Sequence, residues 1–191
     1  MSQPLRMLDL CCGLGGASKA MVDRGWDVVT VDTEPRFNPT ILVDIRHWSI
    51  DGHFDLVWAS VPCTEYARES MPWCRTGNEP DHSIWHAAED IIRHLDPRWW
   101  CIENVRGAQK WMGKPPYHFG PVYLWTNLFL PYVHIDPYKE KRTGKNPAMR
   151  SLTPYVVSLA VAESVEEYTP RRTTEPNSGT FLDEGIGSVS C

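Results

Sequence analysis

Apolar residues in this chain come in short runs bounded by glycine, proline or an acid, and these runs alternate with stretches of helical spacing. Residues 7–12 (MLDLCC) predict a buried strand that stops at Gly13-Leu14-Gly15-Gly16. Residues 17–24 fit a helix closed by Gly25, a residue on which helices commonly end. Further strands are predicted at 27–31, ending in Asp32, at 41–43, ending in Asp44, and at 54–59, running into Ser60-Val61-Pro62-Cys63. Over 81–95, Ile84, Ala87, Ala88, Ile91, Ile92 and Leu95 recur at helical spacing. Residues 98–102 (RWWCI) give one more strand, ending at Glu103-Asn104. Strands alternating with helices predict an α/β fold, a mostly parallel sheet with helices on both faces. Ligands bind such sheets beyond the carboxyl ends of the strands. Gly13, Asp32, Asp44, Cys63 and Glu103 each follow a predicted strand and therefore share that edge.

Past Gly107 the pattern thins. Residues 123–129 (YLWTNLF) predict a strand, and 114–121 reads as ordinary loop. Thr153-Pro154 is a good helix start, a capping hydroxyl followed by proline in the first turn. That helix is expected to run to about residue 167, with Val156, Leu159, Ala160 and residues 162–165 forming its apolar face. From 169 to 191 the chain is polar, aperiodic and rich in proline and glycine, and is expected to be a flexible tail.

At 191 residues the chain suits one well-packed domain, and it has no internal repeats. No run approaches the roughly 18 apolar residues of a membrane span. The opening MSQPLRMLDL lacks the pattern of a signal peptide. A cytoplasmic protein, monomeric and away from the membrane, is the expectation. The six cysteines form no CxxC pair and have no histidine at zinc-finger spacing. Cys11, Cys12 and Cys101 lie in or beside strand-like runs and read as buried thiols of a reducing compartment.

A net charge of -5 argues against a protein that coats nucleic acid without discrimination. It leaves room for a local basic patch: Lys139, Lys141, Arg142, Lys145 and Arg150 face only Glu140 within 138–150, although a solvated loop would have the same composition. Nine tryptophans and 16 prolines serve packing and loop rigidity first, and base stacking second.

Two constellations carry chemistry. Glycines after a first strand let the backbone approach a ligand, and an acid ending a neighbouring strand can take a ribose diol. Asp32 and Asp44 supply such acids, one suited to the ribose and the other to an adenine amino group. The spacing of Gly13, Gly15 and Gly16 matches neither a dinucleotide fingerprint nor a P-loop. In the second constellation, Pro62-Cys63 ends one strand while Glu103-Asn104-Val105 ends the next. A thiol in a cleft beyond the sheet is usable as a nucleophile, and a carboxyl group can stand beside the substrate it attacks. Taken singly, a cysteine such as Cys63 is more often a structural thiol than a catalytic one.

In sequence order, DLCCGLGG, VPCTEYAR and IENVRG resemble motifs I, IV and VI of the DNA cytosine-5 methyltransferase family, and the compressed form is similar to small phage-type members. The likeness covers about residues 5–110, and more loosely the WTN-containing strand and final helix. It implies a Rossmann-like, S-adenosylmethionine-dependent methyltransferase fold. It also implies methyl transfer to C5 of cytosine in double-stranded DNA, with the target base flipped out. Cys63 would be the nucleophile after Pro62, Glu103 the acid at the ring nitrogen, and Asn104 the brace of the Pro62-Cys63 loop. Asp9, Cys11, Gly13, Leu14, Gly15, Gly16 and Ser60 would line S-adenosyl-L-methionine, with Asp32 at its ribose and Asp44 and Ile45 at its adenine. Residues 1–168 would form a single catalytic domain whose target-recognition domain is much reduced or absent, 108–150 partly filling that role.

Three departures from the family pattern stand out. Cys11 replaces the usual phenylalanine, Val61 replaces a second proline, and no Gln-x-Arg-x-Arg segment follows. Arg68, Arg106 or Arg142 would replace the missing arginine, and Lys141 and Lys145 would join them on DNA. Other readings stay open: a same-fold enzyme acting on RNA or nucleotide cytosine, a modified S-adenosylmethionine donor, another Rossmann cofactor, or an inactive binding module.

Overall fold

The structure, a computed structural model, describes residues 3–68, 79–135 and 151–169. All of the expected tail (169–191) except Thr169, and the basic cluster of 139–150, fall outside these residues. In chain order the elements are β1 (Arg6–Leu10), α1 (Lys19–Asp23), β2 (Asp27–Asp32), β3 (Ile41–Leu42), β4 (Leu56–Ser60) and α2 (Thr64–Ala67). They continue with α3 (Ser83–Leu95), β5 (Trp99–Asn104), α4 (Gln109–Met112), β6 (Tyr117–Phe119), β7 (Val122–Thr126) and α5 (Tyr155–Tyr168).

Among the described residues the strands form one seven-stranded sheet, ordered β3-β2-β1-β4-β5-β7-β6. β1 to β5 are all parallel, so their carboxyl ends lie on one edge. The order reverses between β1 and β4, and at such a switch point the two connecting helices diverge to opposite faces and leave a crevice. This is a Rossmann-like sheet with helices on both faces. β7 runs antiparallel to β5, and β6 antiparallel to β7.

Side-chain alternation along the strands splits the core in two. Met7, Leu56, Trp58 and Cys101 pack against Ala20 and Met21 of α1 and Val157, Val161 and Val165 of α5. Leu8, Leu10, Val57, Ala59 and Ile102 pack against Tyr66 of α2 and Trp85, Ala88 and Ile91 of α3.

Five expectations need correction. β5 extends to Asn104, because β4 and β7 hold its end from both sides, pairing Glu103 with Ser60 and with Leu124. The expected 123–129 strand ends at Thr126 instead: Thr126 Oγ1 donates to the Trp100 carbonyl, and Asn127 bonds Trp100 N and the Arg98 carbonyl, so side chains replace the ladder. Within 114–121 lies strand β6, folded back onto β7 through Gly120, whose φ is +56°. α5 begins after Pro154 without a side-chain cap, so Thr153 is not its capping residue. The buried face of α5 holds Val157, Ser158, Ala160, Val161, Ala162, Ser164 and Val165, whereas Val156 and Leu159 only flank the core. Ser158 is inside because its hydroxyl donates to the Ala17 carbonyl (2.6 Å) and accepts from Ala20 N (3.1 Å), satisfying an N–H that the start of α1 leaves open.

Candidate functional site

The glycine turn after β1 is built by its backbone angles. Cys11 (φ +57°), Gly13 (+52°) and Gly15 (+74°) all take left-handed conformations. Only Cys11 among them carries a Cβ, a geometry that costs about 1–2 kcal/mol for an L-residue. Asp32 clamps the turn, its Oδ2 accepting from Gly13 N and its Oδ1 from Glu34 N, both at 2.9 Å. A Cβ placed on Gly13 would meet nothing within 4 Å, so the turn faces open space there. Gly16 is packed instead: a Cβ would come within 2.7 Å of Leu152 Cδ1 and 2.8 Å of Thr153 N. Residues 152–153 thus border the glycine turn, a contact that nothing in the sequence signals except a proline-marked helix start.

Asp9 lies beneath this turn, fully buried on the α1 and α5 face of β1. Neither carboxylate oxygen has a hydrogen-bond partner among the described residues. Burial pushes its pKa up to about 7, nearby Asp32 adds to the rise, and the Ser18 side chain opposes it without reaching bonding geometry. Asp32, Asp9 and Asp44 all act on Cys11, whose thiol is pushed well above its usual value, first by burial and then by these carboxylates. Burial likewise raises Cys12 and Cys101 to about 12. None of the three would supply thiolate near neutrality.

Asp44 sits farther along the edge, ahead of a 3₁₀ turn (Ile45–His47) that it caps through Arg46 N (3.0 Å). Its oxygens also take the Arg46 guanidinium, which holds its carboxyl down to about 2. Ile45 is buried in the α3-side core. A cleft of about 620 Å³ between 45–49 and α3 includes Ile45 and Trp48 but neither Cys63 nor Glu103. Leu14 is exposed beside the turn, and Ser60 Oγ accepts from Trp58 Nε1 at 3.1 Å.

The second constellation gathers where β4 and β5 end side by side. Ser60 pairs with Glu103. Asn104, fully buried, donates from Nδ2 to the Val61 carbonyl at 3.0 Å, immediately before Pro62-Cys63. Its Oδ1 accepts from Val105 N at 2.9 Å, so both ends of the amide are used. Pro62 is exposed, Cys63 and Glu103 are half-buried, and Cys63 leads into α2. Arg68 at the end of α2 is ion-paired to Glu65 at 2.7 Å, whereas Arg106, in the turn after β5, is exposed. Lys141, Arg142 and Lys145 lie outside the described residues. Among the described residues no cluster of side chains is suited to a metal ion, and no helix is long and apolar enough to cross a membrane.

Residues that fit S-adenosylmethionine are therefore present. An unpartnered buried carboxylate, a turn open at Gly13 and three acids around Cys11 suit a ligand that carries a sulfonium, an ammonium and a ribose diol.

No family model matches the chain. Among solved structures it is similar to a putative DNA modification methyltransferase from an Escherichia coli prophage, at 18% identity and TM-score 0.44 over 56% of this chain and 34% of that one. It is also similar to the Schizosaccharomyces pombe Dnmt2 methyltransferase, at 19% identity and TM-score 0.39 over 56% of this chain and 36% of that one. A probable DNA (cytosine-5)-methyltransferase of Frog virus 3 (isolate Goorha) is 30% identical over 118 residues, 52% of this chain and 53% of the relative. The chain thus spans about half the length of the curated relative it matches, and that relative bears the name of the family the three motifs resemble.

Proposed function

We propose that this chain is an S-adenosyl-L-methionine-dependent DNA cytosine-5 methyltransferase with Cys63 as its covalent nucleophile. The observation that supports it most is the meeting of β4 and β5, where Ser60 lies opposite Glu103 and Asn104 bonds the Val61 carbonyl beside Pro62-Cys63. A thiol and a carboxyl group from adjacent strand ends suit one planar substrate standing above the sheet.

Cytosine C5 is a poor nucleophile until a thiolate adds to C6. Cys63 forms that sulfur–carbon bond while Glu103 holds a proton at N3, stabilising the charge that develops on the ring. When bound, S-adenosylmethionine supplies an electrophilic methyl group to the electron-rich C5. A base then takes the C5 proton, the ring regains its double bond and the Cys63–C6 bond breaks. Asn104 keeps the Pro62-Cys63 backbone in place throughout. Asp9, Cys11, Gly13, Leu14, Gly15, Gly16 and Ser60 hold the methionine end of the cofactor, Asp32 its ribose, and Asp44 with Ile45 its adenine. Asp44 must share its carboxylate with Arg46 to do so.

The substrate is double-stranded DNA with the target base turned out of the stack, which costs a few kcal/mol. Arg68, Arg106, Lys141, Arg142 and Lys145 contact its phosphates. Residues 1–168 act as one catalytic domain, with 108–150 standing in for part of a recognition domain. Thiols kept at Cys11, Cys12 and Cys101 suit a protein of the cytoplasm.

DNA containing 5-fluorocytosine tests the nucleophile, because fluorine at C5 cannot leave as a proton does. With S-adenosylmethionine present, the wild type and Cys74→Ser are expected to form a stable protein–DNA adduct, and Cys63→Ala none. An adduct that survives in Cys63→Ala would overturn the assignment.

A further inference from the structure

Among the described residues, the loop that carries Cys63 is tied to the sheet and to α2. The tie to the sheet runs through Asn104 and the Val61 carbonyl. The other is to α2, and α2 is only four residues long, far below the length at which a helix sustains itself in water. Its Ala67 N donates to the Cys63 carbonyl at 2.8 Å, so the position of Cys63 follows the position of α2.

Tyr66 fastens α2. Its ring is 1% exposed, between His82, 5.7 Å away and stacked at 29°, and Trp85, 6.1 Å away edge-on. A buried phenol needs a partner for its hydroxyl, and His82 Nδ1 stands 3.0 Å from the Tyr66 oxygen. The opposite ring nitrogen of His82, Nε2, lies 3.3 Å from Glu79. That carboxylate favours the proton on Nε2, leaving Nδ1 to accept from the Tyr66 O–H. Burial raises the Tyr66 phenol to about 12, so it keeps its proton near neutrality. His82 also leans on Trp111 of α4 at 5.5 Å, and α4 follows Glu103 through the turn at 106–108.

We infer that His82 is a positioning residue for Cys63, acting through the Tyr66 hydroxyl on α2 and through Trp111 toward the segment that follows Glu103. The catalytic consequence rests on the reading of Cys63 as nucleophile; the positioning itself does not. An aromatic cluster that merely filled space would stabilise the fold without governing the thiol.

The experiment compares Tyr66→Phe, which keeps the ring, with His82→Leu and with His82→Asn, whose amide oxygen can still accept near the Nδ1 position. The alkylation rate of Cys63 by iodoacetamide is read by peptide mapping on the folded protein without DNA or cofactor. Methyl transfer kinetics and calorimetric cofactor affinity are measured in parallel. Tyr66→Phe and His82→Leu are expected to speed alkylation, because a loosened loop exposes a half-buried thiol. They should lower kcat on the order of tenfold to a hundredfold, as small misplacements of reacting groups do, with cofactor affinity unchanged. His82→Asn should recover much of the loss, and the Tyr66→Phe/His82→Leu double variant should be no worse than either single one. Unchanged alkylation in both Tyr66→Phe and His82→Leu overturns the inference, whatever happens to the melting temperature. If alkylation shifts while the wild type transfers no methyl group to DNA, positioning stands and the methyltransferase reading falls.

Discussion

Among the described residues, Asp9 is the carboxyl group whose ionisation the fold most disfavours. An unfolded aspartate titrates near 3.9, and in the folded protein burial lifts Asp9 to about 7. The folded state therefore binds the extra proton between these values, and stability falls as pH rises from about 4 to about 7. Above that window the loss is complete, on the order of a few kcal/mol for a shift of this size. Asp9→Asn cannot ionise, so denaturant midpoints of the cofactor-free variant should overtake those of the wild type as pH rises through the window and then run parallel. A wild type and variant with identical pH profiles would mean that Asp9 is solvated or paired. This carboxylate was legible in the sequence only as an acid within an apolar run; its burial follows from Ser158 and α5 closing over α1, which no local pattern encodes. The strand-end acids were legible by position, but their partners, Gly13 N for Asp32 and Arg46 for Asp44, were not. The Tyr66–His82 bond spans 16 positions and leaves no periodic trace.

Elements with a strong period were readable from the chain: β1, β2, β4 and α3 lie within a residue or two of their expected bounds, because burial on one or two faces imposes the pattern itself. β6 and α2, of three and four residues, are too short to show a period, and α2 exists through tertiary contacts. The ends of β5 and β7 depend on each other and on Asn127, so neither could be set alone. The junction of the glycine turn with α5 is the contact least visible in the sequence and the most testable. In Gly16→Ala the new methyl group would meet Thr153 N and O at 2.8 and 2.9 Å, backbone atoms that a rotamer change cannot move. Overpacking of this kind costs about 1–3 kcal/mol, and a chain of this size loses about 2–4 °C of melting temperature per kcal/mol. Differential scanning calorimetry should record that fall, with weaker cofactor binding. A melting temperature equal to that of the wild type would show that α5 and the turn are not packed together.

For the whole molecule, the proposed reaction requires a chain of net charge -5 to hold a polyanion. Grip must be local, and the carboxyl edge of the sheet offers little of it. Asp9, Asp32 and Asp44 surround Cys11 with negative charge, and Arg68 is already paired with Glu65. Arg106 stands exposed just past Glu103, at the rim where a flipped nucleotide would enter. A further group of cations, Lys139, Lys141, Arg142, Lys145 and Arg150, clusters within residues 138–150. If this cluster serves in place of a recognition domain, its contacts are to phosphates, which position a duplex without reading it. Affinity should then drop steeply with salt, because each neutralised phosphate releases counterions. Charge reversal at Lys141 and Arg142 together should flatten the slope of log K against log salt by about two units. The loss of affinity should be equal for all sequences, while calorimetric binding of S-adenosylmethionine stays as in the wild type, since the acids proposed to hold it lie on the sheet edge. Methylation should fall on cytosines in a short or relaxed context, read by sequencing of modified bases in DNA from a host without its own cytosine methylation. Modification confined to one long palindrome, or a salt slope untouched by the double reversal, would move recognition away from 139–150. The hairpin of β6 and β7, which places His118 and Tyr123 in a stacked pair 5.1 Å apart beside the end of β5, would then be the surface to mutate next.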